Sequence, residues 1–415
     1  MGLLCTGMAQ VKNSIRGRVV QDSIGTPVAG ASVFITNTSK GTVSDSSGAF
    51  ELLNVPEGAY DLIISSIGYE TIAHGYKAAD LPLRLEVHLK RKTEELEAVV
   101  VEPDEKDGWN RWGQFFIENF VGTNENGRAS RIKNPNTLRF RYSRKNNLLK
   151  VIADEPLVIE NKGLGYQVKY QLESFYFDFQ SHMLVYYGYS LFSNLDKKGP
   201  SKRQLKNREK AYNGSIMHFM RSLYHDSLAA NGFEVRRMIR RPNEEKLRVK
   251  EAYRRSLRAS SATIQPPPAS GNPPIQRLPG AGTASIRSSV SALPKDSSEY
   301  YSRVMRQPDV IDEFGKSLLT ADSLLTTTGK GVKSLFFTDY LYIVYRNEKE
   351  DADYLSYVHE TRPPWFQRSN AFLPDKLSIT IEPTGNYYPP QTFMTLGYWA
   401  WNEKIGDMLP IDYKK

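Results

Sequence analysis

The chain has 415 residues, 40% hydrophobic and 24% charged, a balance that excludes wholesale disorder and a collagen-like repeat. Its mean hydropathy is -0.49 and no run approaches ~18 apolar residues, which excludes a membrane-spanning helix. The formal charge of +9 is unevenly spread: residues 10–103 hold nine Lys and Arg against twelve Asp and Glu, whereas residues 197–258 hold eighteen against six.

Residues 1–10 are expected to be a truncated signal peptide cut after Ala9, because apolar residues are followed by the small-x-small run Gly7-Met-Ala9. That cut removes Cys5, the single cysteine. The mature chain would then support neither a disulfide framework nor a thiolate metal site.

Residues 11–92 alternate apolar and polar side chains with period two. Ile15, Gly17 and Val19 share one face, as do Ala31, Val33 and Ile35. Phe50 and Leu52 follow, then Tyr60, Leu62 and Ile64, and finally Leu83, Leu85, Val87 and Leu89. Flanking Gly, Pro, Asn, Asp and Ser clusters predict seven short antiparallel strands in a small β-sandwich. Asp45 is suited to cap its own turn, Gly48 to take a positive φ, and Phe50 to fill the core.

Four blocks in this segment carry a resemblance. They are Gly25-Thr-Pro27-Val-Ala-Gly30-Ala31-Ser-Val33, Ser44-Asp45-x-x-Gly48-x-Phe50, Val55-Pro56-x-Gly58-x-Tyr60 and Ile67-Gly68-Tyr69. In that order and spacing they resemble the carboxypeptidase-like regulatory domain, which implies a prealbumin-like sandwich. In metallocarboxypeptidases this domain accompanies a separate zinc hydrolase, and the hydrolase's His-x-x-Glu is absent here. None of His74, His88, His182, His218, His225 and His359 begins that motif or His-Glu-x-x-His. No cofactor or metal is expected.

Residues 93–108 read as a linker. Its Leu-x-x-Val-Val-Val run is similar to segments that follow this domain in TonB-dependent outer-membrane receptors. The residues after 103 are too few for a plug and a 22-strand barrel.

A body of residues 109–258 and 300–415 follows. An amphipathic helix is predicted from Trp109 through Phe120, then strands at 137–144, 147–153, 156–160, 166–179 and 183–192, then one long helix over 202–229 ended by Asn231-Gly232. The Pro- and Ser-rich residues 259–299 are expected to be a disordered insertion. Strand patterns return near 334–347 and 376–382, and an aromatic cluster spans Tyr398–Trp401. The blocks around Asp154–Tyr166 and Lys210–Leu223 resemble the body of secreted proteins of Gram-negative bacteria that carry the same regulatory domain, which implies an envelope location and no assigned reaction.

Sites for chemistry are few. Thr326-Thr-Thr-Gly329-Lys330 lacks the first Gly of a P-loop and precedes a strand, and no Gly-x-Ser-x-Gly is present. Glu348, Glu350, Asp351 and Asp353 lack the Gly and spaced Glu of a calcium loop. The basic stretch is the main lead. Lys202, Arg203, Lys206, Arg236, Arg237, Arg240 and Arg241 are candidate contacts to an anionic membrane surface or an acidic envelope protein, with a solvated face as the plain alternative. Nucleic acid conflicts with export.

The fold class is mainly β with some α: a seven-stranded prealbumin-like, Ig-like sandwich, then an α+β body with antiparallel strands and one long amphipathic helix. The function expected is a non-catalytic binding or assembly module, periplasmic or outer-membrane-associated. The alternatives are a glycosidase-type hydrolase with a dispersed carboxylate pair and a carbohydrate- or peptide-binding surface protein.

Overall fold

The structure, a computed structural model, describes residues 13–56, 58–92, 102–262, 295–327 and 332–415. The expected signal peptide, most of the linker, residues 263–294 of the expected insertion and Thr328–Val332's first four positions lie outside the described residues. Two compact units form, residues 1–235 with 318–415 and residues 236–317.

The N-terminal seven strands are β1 (Ser14–Gln21), β2 (Ser32–Ile35), β3 (Gly41–Val43), β4 (Ala49–Leu53), β5 (Tyr60–Ser65), β6 (Ile72–Tyr76) and β7 (Leu83–Leu89). They make two sheets, β4-β1-β7 and β3-β2-β5-β6. Ile15, Val19, Val33, Ile35, Phe50, Leu52, Leu62 and Ile64 meet between them as one core, as the period-two pattern requires. One pairing departs from the antiparallel expectation: β7 lies parallel to β1, from Ile15 opposite Leu83 to Gln21 opposite Leu89. Alternation within a strand is blind to the direction of its neighbour. The Asp45 turn forms as its residues dictate. Asp45 Oδ1 accepts from the Ser47 and Ala49 amides at 2.8 and 2.9 Å. Gly48 has φ +77, and a Cβ there would stand 2.4 Å from Val19 O.

The sandwich is latched to the rest of its unit. Asn37 N donates to Ser190 O and Phe192 N to Thr38 O, so the β2–β3 turn extends a sheet edge of the body. Ile411 N donates to Asn37 O, Ser39 Oγ lies 2.5 Å from Asp412 Oδ2, and Ile411 enters the sandwich core. A second contact joins Ala59 N to buried Glu382, with Asn386 Nδ2 donating to Ala59 O at 3.2 Å.

The body's first sheet contains β8 (Ser130–Ile132), β9 (Leu138–Ser143), β10 (Leu148–Ala153), β11 (Leu157–Asn161), β12 (Tyr166–Asp178) and β13 (Met183–Asn194). The order is β8-β11-β12-β10-β9, with β13 also on β12. Helix Gly108–Phe116 and a π-helical turn Ile117–Val121 pack Phe116 and Phe120 against Phe140, Tyr170 and Phe175. The second core of this unit joins Phe219, Leu223, Phe233, Ile343, Ala371, Ile379 and Trp399.

The expected single helix over 202–229 is two helices, Lys202–Tyr212 and Ile216–Tyr224. Ser201 and Gln204 make a capping box at the first, and Ser215 Oγ accepts from His218 N at the second. Gly214 between them takes φ +74, and a Cβ there would stand 2.5 Å from Gln367 Oε1 and 2.8 Å from the Tyr345 ring. The local Asn213-Gly214-Ser215 signal therefore outweighs the apolar period that spans it.

In the other unit, strand residues Met238–Pro242 pair antiparallel with Val310–Phe314. Helices Glu244–Ala262 and Lys295–Met305 bury Val249 and Val304. Both ends of the expected insertion are thus helical, at 259–262 and 295–299. The body boundary also moves, because residues 236–317 close on their own strands and helices.

Candidate functional site

The seven basic candidates divide between the two units. Lys202, Arg203 and Lys206 stand on helix Lys202–Tyr212 of the first unit, and Arg203 pairs with Glu125 at 3.4 Å. Arg236, Arg237, Arg240 and Arg241 fall in the second unit, on a strand in a region to which the sequence analysis assigned no element. Strand alternation sends Arg236 and Arg240 to one face and Arg237 and Arg241 to the other. Arg240 holds Asp312 in a fork at 2.8 and 2.9 Å, Arg241 faces Glu313 at 3.6 Å, and Arg236 Nη1 donates to the Gly315 and Lys316 carbonyls. Three of the seven thus face a carboxylate, and the Arg203 and Arg241 pairs are exposed.

The same stretch contains two cations that hold the fold. Arg208 is buried, its guanidinium 3.6 Å from the Tyr166 ring centre and donating to Leu164 O, Gly165 O and Asn194 Oδ1 at 2.7, 3.3 and 3.0 Å. Arg221 donates to Thr384, Ile411 and Tyr413 carbonyls at 2.7, 2.9 and 3.0 Å. Neither is available to an external surface.

Burial raises the pKa of six described carboxylates, Asp61, Glu173, Glu348, Glu382, Glu403 and Asp407, and the last two share a network in the C-terminal segment. Burial pushes Glu403 up to about 8 and Asp407 up to about 6, and brings Lys404 down to about 8. Both Asp407 oxygens accept side-chain amides, from Asn124 at 2.6 Å and Asn126 at 2.5 Å. Asn161 Nδ2 donates to Gly406 O at 2.7 Å. These groups brace the C-terminal segment against helix Glu125–Arg128. His218 is buried and held near 4, mainly by desolvation, with Nδ1 accepting from Gly214 N at 3.2 Å. The calcium candidates disperse: Glu350 is enclosed by Arg362 and Arg368, Asp351 caps helix Ala352–Tyr357, and Asp353 pairs with Arg128. Among the described residues, no three His, Cys, Asp or Glu side chains are placed to hold a metal ion. Leu325–Thr327 pairs antiparallel with Lys333–Leu335, and residues 328–331 of the P-loop-like motif lie outside the described residues.

A concave feature lies beside strand β8. A cleft of about 450 Å³ is lined by Trp109, Ile117 and Val121 on its helical wall and by β8 residues Ser130–Ile132, Lys133 and Pro135 on the other. That volume lies within the ~300–1,000 Å³ of ligand clefts. Its lining holds two cations, Arg131 and Lys133, and no carboxylate, histidine or cysteine. Ser130, the one hydroxyl, donates to Asn126 O at 2.8 Å. The chemistry available is apolar contact, positive charge and backbone hydrogen bonding. Trp109 was legible as the start of an amphipathic helix. Strand β8 was not, because three residues, Ser-Arg-Ile, are too short to display a period.

Residues 15–101 match the model of the CarboxypepD_reg-like domain. The N-terminal sandwich is therefore a domain of that regulatory, non-catalytic class. No curated protein matches the chain. Among solved structures, a type II cohesin–X-dockerin complex of Acetivibrio cellulolyticus shares 27% identity over 18% of this chain and 52% of that one, with a TM-score of 0.17. A membrane-associated protein of unknown function from Bacteroides fragilis shares 11% identity over 91% and 98% of the two chains, at 0.16. A carbohydrate-binding protein of Bacteroides uniformis shares 11% over 44% and 80%, at 0.15. The chain spans about half the length of the first of these. At such TM-scores none bears on its role. No described helix is long and apolar enough to cross a membrane.

Proposed function

We propose that the protein is a non-catalytic binding or assembly module of the cell envelope, acting through the Trp109–Ser130 cleft. The observation that carries this reading is the cleft's lining, which offers apolar and cationic groups and no acid, base or activated nucleophile. The hydrolase alternative asks for two carboxylates flanking an accessible cleft. Asp407 is instead engaged by Asn124 and Asn126. A CarboxypepD_reg-like domain latched firmly to its neighbour suits a module whose parts present one rigid surface.

The test places a photo-crosslinking residue at exposed Arg131 in the native host and fractionates the cells. A discrete cross-linked product in the envelope fraction, lost on Trp109→Ala, is expected. Cytosolic protein would overturn the address. Turnover of glycosides or peptides that disappears on Asp407→Asn would overturn the non-catalytic reading.

A further inference from the structure

The cleft's floor is an unfinished sheet edge. Lys162 N donates to Ala129 O at 3.2 Å and Lys133 N to Val158 O at 2.8 Å. In an antiparallel ladder these bonds recur at alternate residues, so positions 129, 131 and 133 face β11. Ser130 and Ile132 then turn their N–H and C=O groups the other way. β8 ends the strand order on that side, and among the described residues no backbone partner meets those groups. Unpaired backbone groups beside buried Ile132 and the Trp109 wall are a template for another strand.

We infer that the cleft receives an extended acidic peptide segment of a partner protein, which adds to β8 as a further strand. This rests on the binding reading above and names the partner class. The backbone edge at Ser130 and Ile132 supplies the pairing. The alternate side chains of the incoming strand that face the cleft contact Trp109, Ile117 and Val121. Charge selects the sequence: Arg131 is exposed, Lys133 is shared with Glu160 at 3.4 Å, and the lining contains no anion to repel a carboxylate. About 450 Å³ accommodates a few side chains, so a short segment suffices.

The experiment measures fluorescence anisotropy of dye-labelled hexapeptides on the full chain. Glu-Val-Glu-Val-Glu-Val should bind saturably. Lys-Val-Lys-Val-Lys-Val should bind at least tenfold more weakly, and so should the acidic peptide N-methylated at alternate amides. Arg131→Glu with Lys133→Glu, both exposed, should reverse the charge preference, with the fold checked intact by circular dichroism. Equal binding of the N-methylated peptide would overturn strand addition. No saturable peptide binding to millimolar concentration, or saturable binding of a neutral oligosaccharide instead, would overturn the peptide assignment. Either result leaves the crosslinking test of a cleft partner to stand or fall on its own.

Discussion

Replacing Arg208 with alanine separates a structural cation from a solvated one within a single basic segment. The Arg208 guanidinium donates to Leu164 O, Gly165 O and Asn194 Oδ1 and stacks 3.6 Å from the Tyr166 ring centre. Hydrogen bonds to a charged donor contribute ~1.5–3 kcal/mol each, and acceptors left unpaired in a buried site cost ~1–3 kcal/mol. A desolvated cation–π contact adds about 2 kcal/mol. These contributions overlap, since water partly refills the vacated space, so the expected loss is about 3–5 kcal/mol. Arg208→Lys keeps the charge and loses the fork, and should fall between. Lys206→Ala, two residues away and exposed, should cost within about ±0.5 kcal/mol. Urea denaturation followed by tryptophan fluorescence reads all three. Equal midpoints for Arg208→Ala and Lys206→Ala would refute the assignment of Arg208 to the fold.

Glu403 holds its proton to about pH 8 when folded, against an ordinary value of 4.5. Between those values the folded chain keeps a proton on Glu403 that the unfolded chain has lost, so the stability Glu403 contributes falls as pH rises from about 5 to 8. Glu403→Gln should flatten that fall in melting temperature, by about 1–2 kcal/mol once solvent contact is allowed for. A profile unchanged by the substitution would contradict the burial argument. Arg240→Glu sets two carboxylates together at Asp312, which Arg240 now holds bidentately. It should speed amide exchange along Met238–Arg241, whereas Lys202→Glu with Lys206→Glu should not alter exchange there. Asp412→Ala removes the acceptor of Ser39 N and Oγ. It should hasten proteolysis of the sandwich turn at 36–40, and unchanged cleavage would show the latch to rest on Asn37 and Thr38 alone.

Local chemistry made much of the fold legible. The seven sandwich strands, helix Gly108–Phe116 and the strands from Leu138 to Asn194 follow period and turn residues that a single strand or helix carries by itself. Parallel β1–β7 pairing was not legible, because a strand's alternation does not depend on its neighbour's direction. The partners of the basic segment were not legible for a related reason. Charge density along the chain says nothing about partners distant in sequence, such as Asp312 for Arg240 or Leu164 O for Arg208. The cleft shows the same limit: its floor, β8, is three residues long, and its free edge arises only once Leu157–Asn161 occupies the other side.

The most direct measurement is amide hydrogen exchange by NMR at Ser130, Arg131 and Ile132, with and without saturating Glu-Val-Glu-Val-Glu-Val. Strand addition predicts at least tenfold slower exchange at Ser130 and Ile132, whose N–H groups face the cleft. Arg131, already turned toward Glu160, should change little. Unchanged exchange at Ser130 and Ile132 in the peptide-bound protein would contradict the account.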